Sequence, residues 1–443
     1  MRYLPIYLFL LGAAMNLRAQ ADLSAHLLRG SWQAYHTNPA LPAAGAISVS
    51  LPGFYNNLLI TNLTFSDVVT GNNTLDIDNA IAQLGASNVL RENLDIETLG
   101  VGFRLGPLGL SLSHRLRFNA FFDYPQTLPQ LIWQGNAQFI GQTIDFAPDV
   151  DLFGYHELAL GASLDLGERL TVGARAKWLS GGASIETSRH QLRLTTGADA
   201  YDLNVDADFV VNTSGALSYE SFSDIGVDFN FGSLSGQSLG TGNSGLAIDL
   251  GVALRLDRLT LSASALDLGG AINWDENPTN YTLRGNYAFA GLDIAQDLLE
   301  DSVDFVNIAD SLERLYSPTE TAAAYTTRIG TRYYLSGTYE LTEKWSVGAL
   351  FFGEAYRNQF SPAVAVTANW EVLPLLRLGA LAGWRNERID NLGLNATLAL
   401  GPVRLMVATD NIISAIRPKE SHSANFRLGI NLVFGDNKKK EEN

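Results

Sequence analysis

The sequence predicts an all-β fold: a closed antiparallel transmembrane β-barrel of about fourteen strands, with sixteen as the alternative. Segments in which apolar residues alternate with polar or small ones recur along most of the chain. Tight turns alternate with longer connections, and no later stretch is long and apolar enough for a spanning helix. A period of two is the strand pattern, and strands cross a membrane only when closure pairs every backbone group.

Composition narrows the functional classes. The 443 residues include 41 glycines and no cysteine, and 17% of them are charged. Without cysteine, disulfides and thiolate metal sites are excluded. The formal charge of −16 argues against a nucleic-acid partner, whose phosphates would be repelled. We expect no cofactor and no metal.

The N-terminal residues 1–19 are predicted to be a signal peptide, because Arg2 precedes an apolar run from Leu4 to Met15 and a small residue, Ala19. A membrane anchor is the alternative, but the run is shorter than the ~20 residues of a spanning helix. Residues 20–57 are predicted to form a plug, or hatch, in the barrel mouth. Their prolines, in Asn38-Pro39-Ala40 and at position 42, suit a wall strand poorly.

The barrel itself is predicted to span residues 58–434. A first strand is expected near Leu58–Ser66 and a loop helix near Ile77–Leu84. Hairpins follow around Pro107, Asp165 to Arg169, Asp257-Arg258, Thr342 to Lys344, Leu373-Pro374 and Gly401-Pro402. Ala424–Phe434 is the predicted closing strand, and residues 435–443 are a charged periplasmic tail.

Loop lengths predict the orientation. Bacterial barrels have short periplasmic turns and long outer loops, so the N- and C-termini are expected in the periplasm of a Gram-negative-type cell. The segment Ala183–Thr213 either adds two wall strands, giving sixteen, or forms an extracellular hairpin, giving fourteen. The loop Leu292–Tyr316 has helical periodicity and acidic residues; it could dock a partner, gate the mouth or cap the barrel.

Charged residues at inward positions are the candidate lumen lining. They are Arg104, Arg115, Arg117, Arg175, Lys177, Arg255, Arg328, Arg332, Arg377, Arg404 and Arg427, with the acids Glu157, Asp249 and Asp410. Such a lining could select anions. It could also be a ladder of paired charges that bonds the wall to the plug. We favour the ladder, because inward glycines let a second backbone approach closely.

Several other patterns are weak. Gly240–Gly245 resembles a dinucleotide loop and Ser238 an esterase elbow, but neither has the strand-to-helix context it requires. The loop acids Asp199, Asp202, Asp206 and Asp208 lack calcium-loop spacing. The tryptophans near strand ends are predicted to form an interface girdle: Trp178, Trp345, Trp370 and Trp384.

Short motifs in a fixed order carry a family resemblance. They are Asn38-Pro39-Ala40, Leu51-Pro52-Gly53, Trp133-Gln134-Gly135-Asn136, Tyr155-His156-Glu157 and Ala265-Leu266-Asp267-Leu268-Gly269. Together they resemble a family of uncharacterised Bacteroidota-type outer-membrane barrels. That family is more distantly similar to the long-chain fatty-acid channels, whose hatch begins near an Asn-Pro-Ala turn, matched here by Asn38, Pro39 and Ala40. The resemblance implies an outer-membrane location and no particular substrate.

Two main functional hypotheses follow. The first is a non-enzymatic, porin-like barrel in outer-membrane lipid that binds or passes small hydrophobic molecules. The second is a non-transporting barrel that docks proteins of a surface secretion or assembly complex through its outer loops. A lipid hydrolase is a third, weaker hypothesis. A wall kink beside an apolar pocket would support transport, whereas a lumen filled with paired charges and no cavity would argue against it.

Overall fold

The computed structural model describes residues 22–28, 30–69, 74–198, 202–221, 224–227, 239–289, 317–385 and 388–435. Several predictions lie outside these residues: the signal peptide, the acidic helix at Leu292–Tyr316, the Ser238 elbow, Asp199 of the acidic loop, and the charged tail beyond residue 435.

The described chain is built almost entirely of strands. The strands are β1 (Ile47–Ser50), β2 (Gly53–Ile60), β3 (Ser87–Leu105), β4 (Leu108–Pro125), β5 (Thr143–Asp145), β6 (Asp149–Leu166), β7 (Leu170–Thr196), β8 (Leu203–Ser214), β9 (Leu217–Ser221), β10 (Asp224–Val227), β11 (Ser244–Leu256), β12 (Leu259–Trp274), β13 (Pro278–Phe289), β14 (Thr319–Thr321), β15 (Tyr325–Arg328), β16 (Thr331–Glu340), β17 (Trp345–Tyr356), β18 (Gln359–Leu373), β19 (Leu376–Arg385), β20 (Arg388–Leu400), β21 (Val403–Thr409) and β22 (Ser423–Phe434). The helices are α1 (Leu23–Leu27), α2 (Trp32–Thr37), α3 (Phe65–Val68), α4 (Ile77–Gln83), α5 (Thr127–Gln134) and α6 (Ile412–Ile416), with 3-10 turns at Ala137–Phe139 and Pro418–Glu420.

The antiparallel sheet closes on itself. The last strand, β22, pairs with β1 and β2, which pair on their other side with β3. Because β1 and β2 occupy one position in the wall, and β15 and β16 another, the described strands form a 14-stranded barrel. The predicted closed antiparallel barrel is confirmed, and Ala424–Phe434 belongs to its closing strand.

The choice between fourteen and sixteen strands is settled by β7. Its first part, Leu170–Ser180, pairs with β11 in the wall, whereas residues from Ile185 onward pair with β8. Strand β8 then pairs with β13, and β5 pairs with the far end of β7. The segment Ala183–Thr213 is therefore a hairpin that extends the wall beyond its rim.

The predicted boundary between plug and barrel is wrong. The wall begins at Ile47, whereas residue 58 was expected. Pro52 interrupts the strand without ending it, since the backbone N–H of Leu51 still donates to the carbonyl of Ile430 at 2.8 Å. The expected strand at Leu58–Ser66 ends at Ile60, because Thr64 and Asp67 form a capping box that starts α3. The helix near Ile77–Leu84 is confirmed as α4.

The outer face of the wall is apolar. Large side chains that lie exposed on it include Leu99, Phe103, Leu112, Leu160, Leu246, Leu335, Val366 and Phe434. A continuous belt of this kind is typical of a lipid-facing barrel surface. Trp345 and Trp370 stack with ring centroids 5.2 Å apart beside the short turn at Thr342 to Lys344, as expected of an interface girdle. Among the described residues, no helix has the length and hydropathy needed to cross a membrane.

Candidate functional site

The N-terminal segment lies inside the barrel as a plug. The Ser31 side chain accepts from the backbone N–H of Ala34 and caps α2, whose Trp32 is buried against the wall. A Cβ atom on Gly100 would overlap the Trp32 indole, and one on Gly173 would overlap the Pro39 carbonyl group. Inward glycines therefore make room for the plug, as the sequence suggested.

The predicted plug turn, Asn38, Pro39 and Ala40, joins the plug to two wall strands. The side-chain amide of Asn38 donates to the carbonyls of Val252 at 3.3 Å and Ala263 at 3.2 Å. Its oxygen accepts from the backbone N–H of Ala40 at 2.8 Å. Asn38 is fully buried, so these bonds satisfy a side chain that would otherwise be costly to bury.

A buried layer of paired charges crosses the lumen at Asp267. Its carboxylate accepts from Lys177 at 2.6 Å and from Arg332 at 2.6 Å, and Arg117 lies 3.4 Å away. Lys177 also pairs with Asp249 at 2.8 Å. Charges this deeply buried are tolerated only when they are paired and hydrogen-bonded.

The same layer continues towards β3 through two further acids. Arg117 pairs with Glu157 at 3.0 Å and with Asp95 at 3.1 Å. Arg115 donates to Glu157 at 3.1 Å. We call the whole set the ion-pair layer: Asp95, Arg115, Arg117, Glu157, Lys177, Asp249, Asp267 and Arg332. Its members neutralise one another, which supports the ladder of paired charges over an anion-selective lining.

Arg175 and Arg427 fasten the plug to the wall. The Arg175 guanidinium donates to the plug carbonyls of Tyr35 at 2.8 Å and His36 at 2.9 Å, and pairs with Asp249. Arg427 pairs with Asp22 just before α1 and lies 4.2 Å above the Tyr55 ring. These two predicted lumen residues therefore hold the plug in place.

The start of α1 is held by Asp410. Its carboxylate accepts from the backbone N–H groups of Leu23 at 3.1 Å and Ser24 at 2.7 Å. Asp22, the first described residue, is buried inside the lumen. The chain is thus already within the barrel at this point, and the N-terminus that was expected in the periplasm lies outside the described residues.

Four predicted lumen residues lie near the short-turn end of the barrel. Arg104 pairs with Asp165, and Arg255 donates to the Thr171 hydroxyl at 3.0 Å. Arg377 pairs with Glu371 at 3.1 Å and is 40% exposed. Arg404 lines a cavity of about 680 Å³ on the same side. The cavity has polar walls, with Glu371, Asn395 and Thr397 among its lining, and Leu27 and Leu28 of the plug also border it.

The prediction for Arg328 is wrong, since its side chain is exposed on the outer face. Thr327 and Ile329 on either side of it are buried in the lumen. Strand β12 pairs with β16 up to Leu266 and with β15 from Ala271, so that residues 267–270 face residues 329–331 without regular pairing. Four residues of β12 thus lie opposite three between β15 and β16, and the inward and outward alternation along β15 and β16 is reversed across this irregularity. We call it the wall break.

Sequence reasoning missed Asp267, which joins the wall break to the ion-pair layer. Its φ of 58° lies in the left-handed region, and Gly269 follows with a φ of 66°. The Asp267 backbone N–H donates to Asp249 at 2.7 Å. The sequence signal that could have revealed it is the charged residue between Leu266 and Leu268, which interrupts the alternation of apolar and small residues in this strand.

An aromatic cluster packs on the lumen side of the wall break. It comprises Phe153, Tyr155, Leu179, Ala247, Ile272, Trp274 and Ile329, with Tyr325 against it. Ile329 belongs to the wall break itself. The Tyr155 ring lies 5.5 Å from the Arg117 guanidinium, so the aromatic cluster borders the ion-pair layer.

Two weaker patterns gain no support from the geometry. Gly240–Gly245 lies in a turn that runs into β11, without the helix that a dinucleotide loop requires. In the described ranges, no three His, Asp or Glu side chains gather in a way that could hold a metal ion.

Comparison with known proteins places the chain in a family. No curated protein sequence matches it. Similar solved structures include the toluene transporter TbuX of Ralstonia pickettii, at 11% identity over 91% of this chain and 94% of that one, with a TM-score of 0.41. Another is a FadL homologue of Pseudomonas aeruginosa, at 10% identity over 92% of both chains, with a TM-score of 0.39. Similarities this low add no weight to a functional assignment. The profile of a family of unknown function, DUF5723, matches residues 39–410, so the chain belongs to that family.

Proposed function

We propose that this protein is an outer-membrane channel, closed in the structure described here, that passes small hydrophobic molecules sideways through the wall break. The observation behind the proposal is the position of the break. It lies beside the aromatic cluster on its inner side and beside the lipid-facing belt on its outer side.

The ion-pair layer makes an axial route unsuitable for such molecules. Asp267, Lys177 and Glu157 are each about 1% exposed, and they lie beside the aromatic cluster. A hydrophobic molecule that crossed this layer would have to separate buried ion pairs, which costs several kcal/mol when a partner is lost. Contact with Trp274 or Phe153 would stabilise the same molecule by burying its apolar surface.

The wall break offers a lateral exit because regular strand pairing is already absent there. Beside residues 267–270, the backbone N–H of Ile329 donates to the Gly270 carbonyl at 2.9 Å. Separating β12 from β15 at this point would therefore disrupt fewer hydrogen bonds than separating strands elsewhere in the wall. The alternative, a docking barrel, depends largely on the acidic segment at 292–316, outside the described residues, and stays a prediction.

A reversible cross-link across the wall break tests the proposal. Ala271 and Arg328 are cross-strand partners directly above the break, and the chain contains no other cysteine to interfere. Cross-strand Cα atoms lie roughly 4.5–5.5 Å apart, which is within disulfide range. We expect oxidised A271C/R328C to take up a labelled aromatic hydrocarbon or fatty acid at least about five-fold more slowly in whole cells. Reduction should restore the rate.

The matched control is A349C/V366C, a cross-strand pair in the regular, lipid-facing part of β17 and β18. Oxidation of this pair should leave uptake unchanged. Equal uptake by oxidised and reduced A271C/R328C, with the disulfide verified by mass spectrometry, would refute the lateral route.

A further inference from the structure

We propose that Arg328, together with Asn273 and Thr326, forms a binding site for the phosphate-bearing headgroup of an outer-leaflet lipid. The inference does not depend on the proposed transport function. It follows from the outward direction of Arg328, its height on the wall and the donors beside it.

The direction of Arg328 is fixed by the wall break. Thr327 is 2% exposed and Ile329 is 8% exposed, and both face the lumen, so Arg328 between them faces outward. Without the reversal of alternation at the wall break, Arg328 would share the inward face of Arg332, which pairs with Asp267. No carboxylate in the described part of the chain forms an ion pair with Arg328. Its charge is therefore available to an external anion.

The height of Arg328 matches the outer edge of the apolar belt. Passing up β16 from the short turn at Thr342 to Lys344, the exposed outward side chains are Tyr339, Leu335 and Tyr333. Tyr333 lies 6.5 Å from the exposed ring of Phe360, at the position expected of an outer aromatic girdle. A rise of ~3.3 Å per residue and a tilt of ~40° place Arg328 roughly 35 Å above that turn. This distance is comparable to the apolar thickness of a bilayer, so the guanidinium reaches the headgroup region.

The neighbouring donors complete the site. Thr326 and Asn273 are cross-strand partners, and both are exposed on the outer face with Arg328. The Thr326 hydroxyl donates to the Asn273 side-chain oxygen at 2.8 Å, and no acceptor among the described residues takes the Asn273 amide nitrogen, which can donate outward. Diagonal cross-strand neighbours lie roughly 7 Å apart, a span that one phosphate group and a long arginine side chain can bridge. The planar guanidinium matches phosphate geometry.

The test compares lipid retention in nanodiscs of phosphatidylcholine with and without phosphatidylglycerol. Native mass spectrometry would count the phosphatidylglycerol molecules retained by the full-length barrel. We expect Arg328→Gln to weaken retention about five-fold, the effect of one cation at a charged membrane surface, and Arg328→Lys to retain part of it. Arg189→Gln is the matched control, because Arg189 is also exposed but is paired with Asp208 at 3.1 Å. It should retain phosphatidylglycerol normally.

Three results would overturn the proposal. They are unchanged retention in Arg328→Gln, an equal loss in Arg189→Gln, and displacement of the lipid by inorganic phosphate at matched concentration. The last result would identify a site for free phosphate. A circular-dichroism spectrum and a melting temperature equal to wild type would show that the Arg328→Gln barrel is folded.

Discussion

The two sides of the lumen hold the plug by different forces. On the side of β3 to β12, Arg175 and Asn38 bond plug and wall through buried polar contacts, and the ion-pair layer joins the wall strands beside them. On the side of β16 to β19, the plug presents a mainly apolar surface, in which Leu23 and Leu27 pack on Tyr334, Leu350, Phe352, Ala363, Ala365 and Leu381, beside a hydrogen bond between His26 and the Ser336 hydroxyl at 2.8 Å. The polar-walled cavity lies next to this second side.

This difference shows how a plug can be both fixed and displaceable. Buried polar contacts are directional, and each broken partner leaves an unsatisfied charge or donor, so they fix the position of the plug. Apolar contacts are non-directional, and the cost of moving α1 out of its cluster is set by the area exposed together with the two hydrogen bonds that Asp410 accepts from Leu23 and Ser24. The β3 to β12 side therefore acts as the anchor of the plug, and the β16 to β19 side as its movable seal.

The largest expected effect comes from breaking the anchor. Asp267→Asn removes the carboxylate shared by Lys177, Arg332 and Arg117 and leaves buried cations without it. We expect the free energy of unfolding to fall by about 3–5 kcal/mol. Urea unfolding in detergent, followed by heat-modifiable gel mobility, would measure the change.

The control for this variant lies at the cavity. Arg377→Gln removes a half-exposed cation paired with Glu371, and its cost should stay below about 1 kcal/mol. Similar losses in the two variants would show that burial does not distinguish the anchor from the cavity side.

The architecture was predictable from sequence because its signal repeats. The same alternation of apolar and polar residues recurs in each hairpin, so an error in one strand changes the predicted fold little. The break at Asp267 to Gly270 is a single local event, and the alternation alone placed Arg328 inside. Likewise, the sequence shows that the strand pattern of β7 is long, but it does not show whether the far half of β7 belongs to the wall. That depends on the pairing of β11, which stops at residues 170–180 of β7. The pairing of charges was anticipated, whereas the carboxylate at its centre was not, since only the folded wall brings Asp267 to Lys177.

The second effect comes from the movable seal. Leu23 is 1% exposed within its apolar cluster, and Leu23→Ala should lower the free energy of unfolding by about 2–4 kcal/mol through lost burial and a new cavity. Because the seal adjoins the polar cavity, we also expect more frequent conductance openings in planar bilayers than in wild type. Leu246→Ala is the control, since Leu246 is 69% exposed on the lipid-facing surface. Wild-type conductance in Leu23→Ala would mean that α1 does not seal the lumen.

The smallest effect concerns His36, at the boundary between plug and anchor. Its ring nitrogen Nε2 shares a hydrogen bond of 3.0 Å with the Glu97 carboxyl group. Burial, followed by the nearby Arg115 and Arg175 guanidinium groups, lowers the pKa of His36 well below its usual 6.5. The folded protein therefore keeps this histidine neutral at a pH at which the unfolded chain binds a proton. The stability contributed by neutral His36 is complete above pH 6.5 and declines as the pH falls below it, by at most about 1.4 kcal/mol per pH unit.

His36→Gln should lose this part of the pH dependence, so its unfolding free energy should change less than that of wild type between neutral pH and pH values below 6.5. Parallel curves for the two proteins would show that the histidine titrates alike in the folded and unfolded states, and that it contributes nothing to the anchor through its charge state.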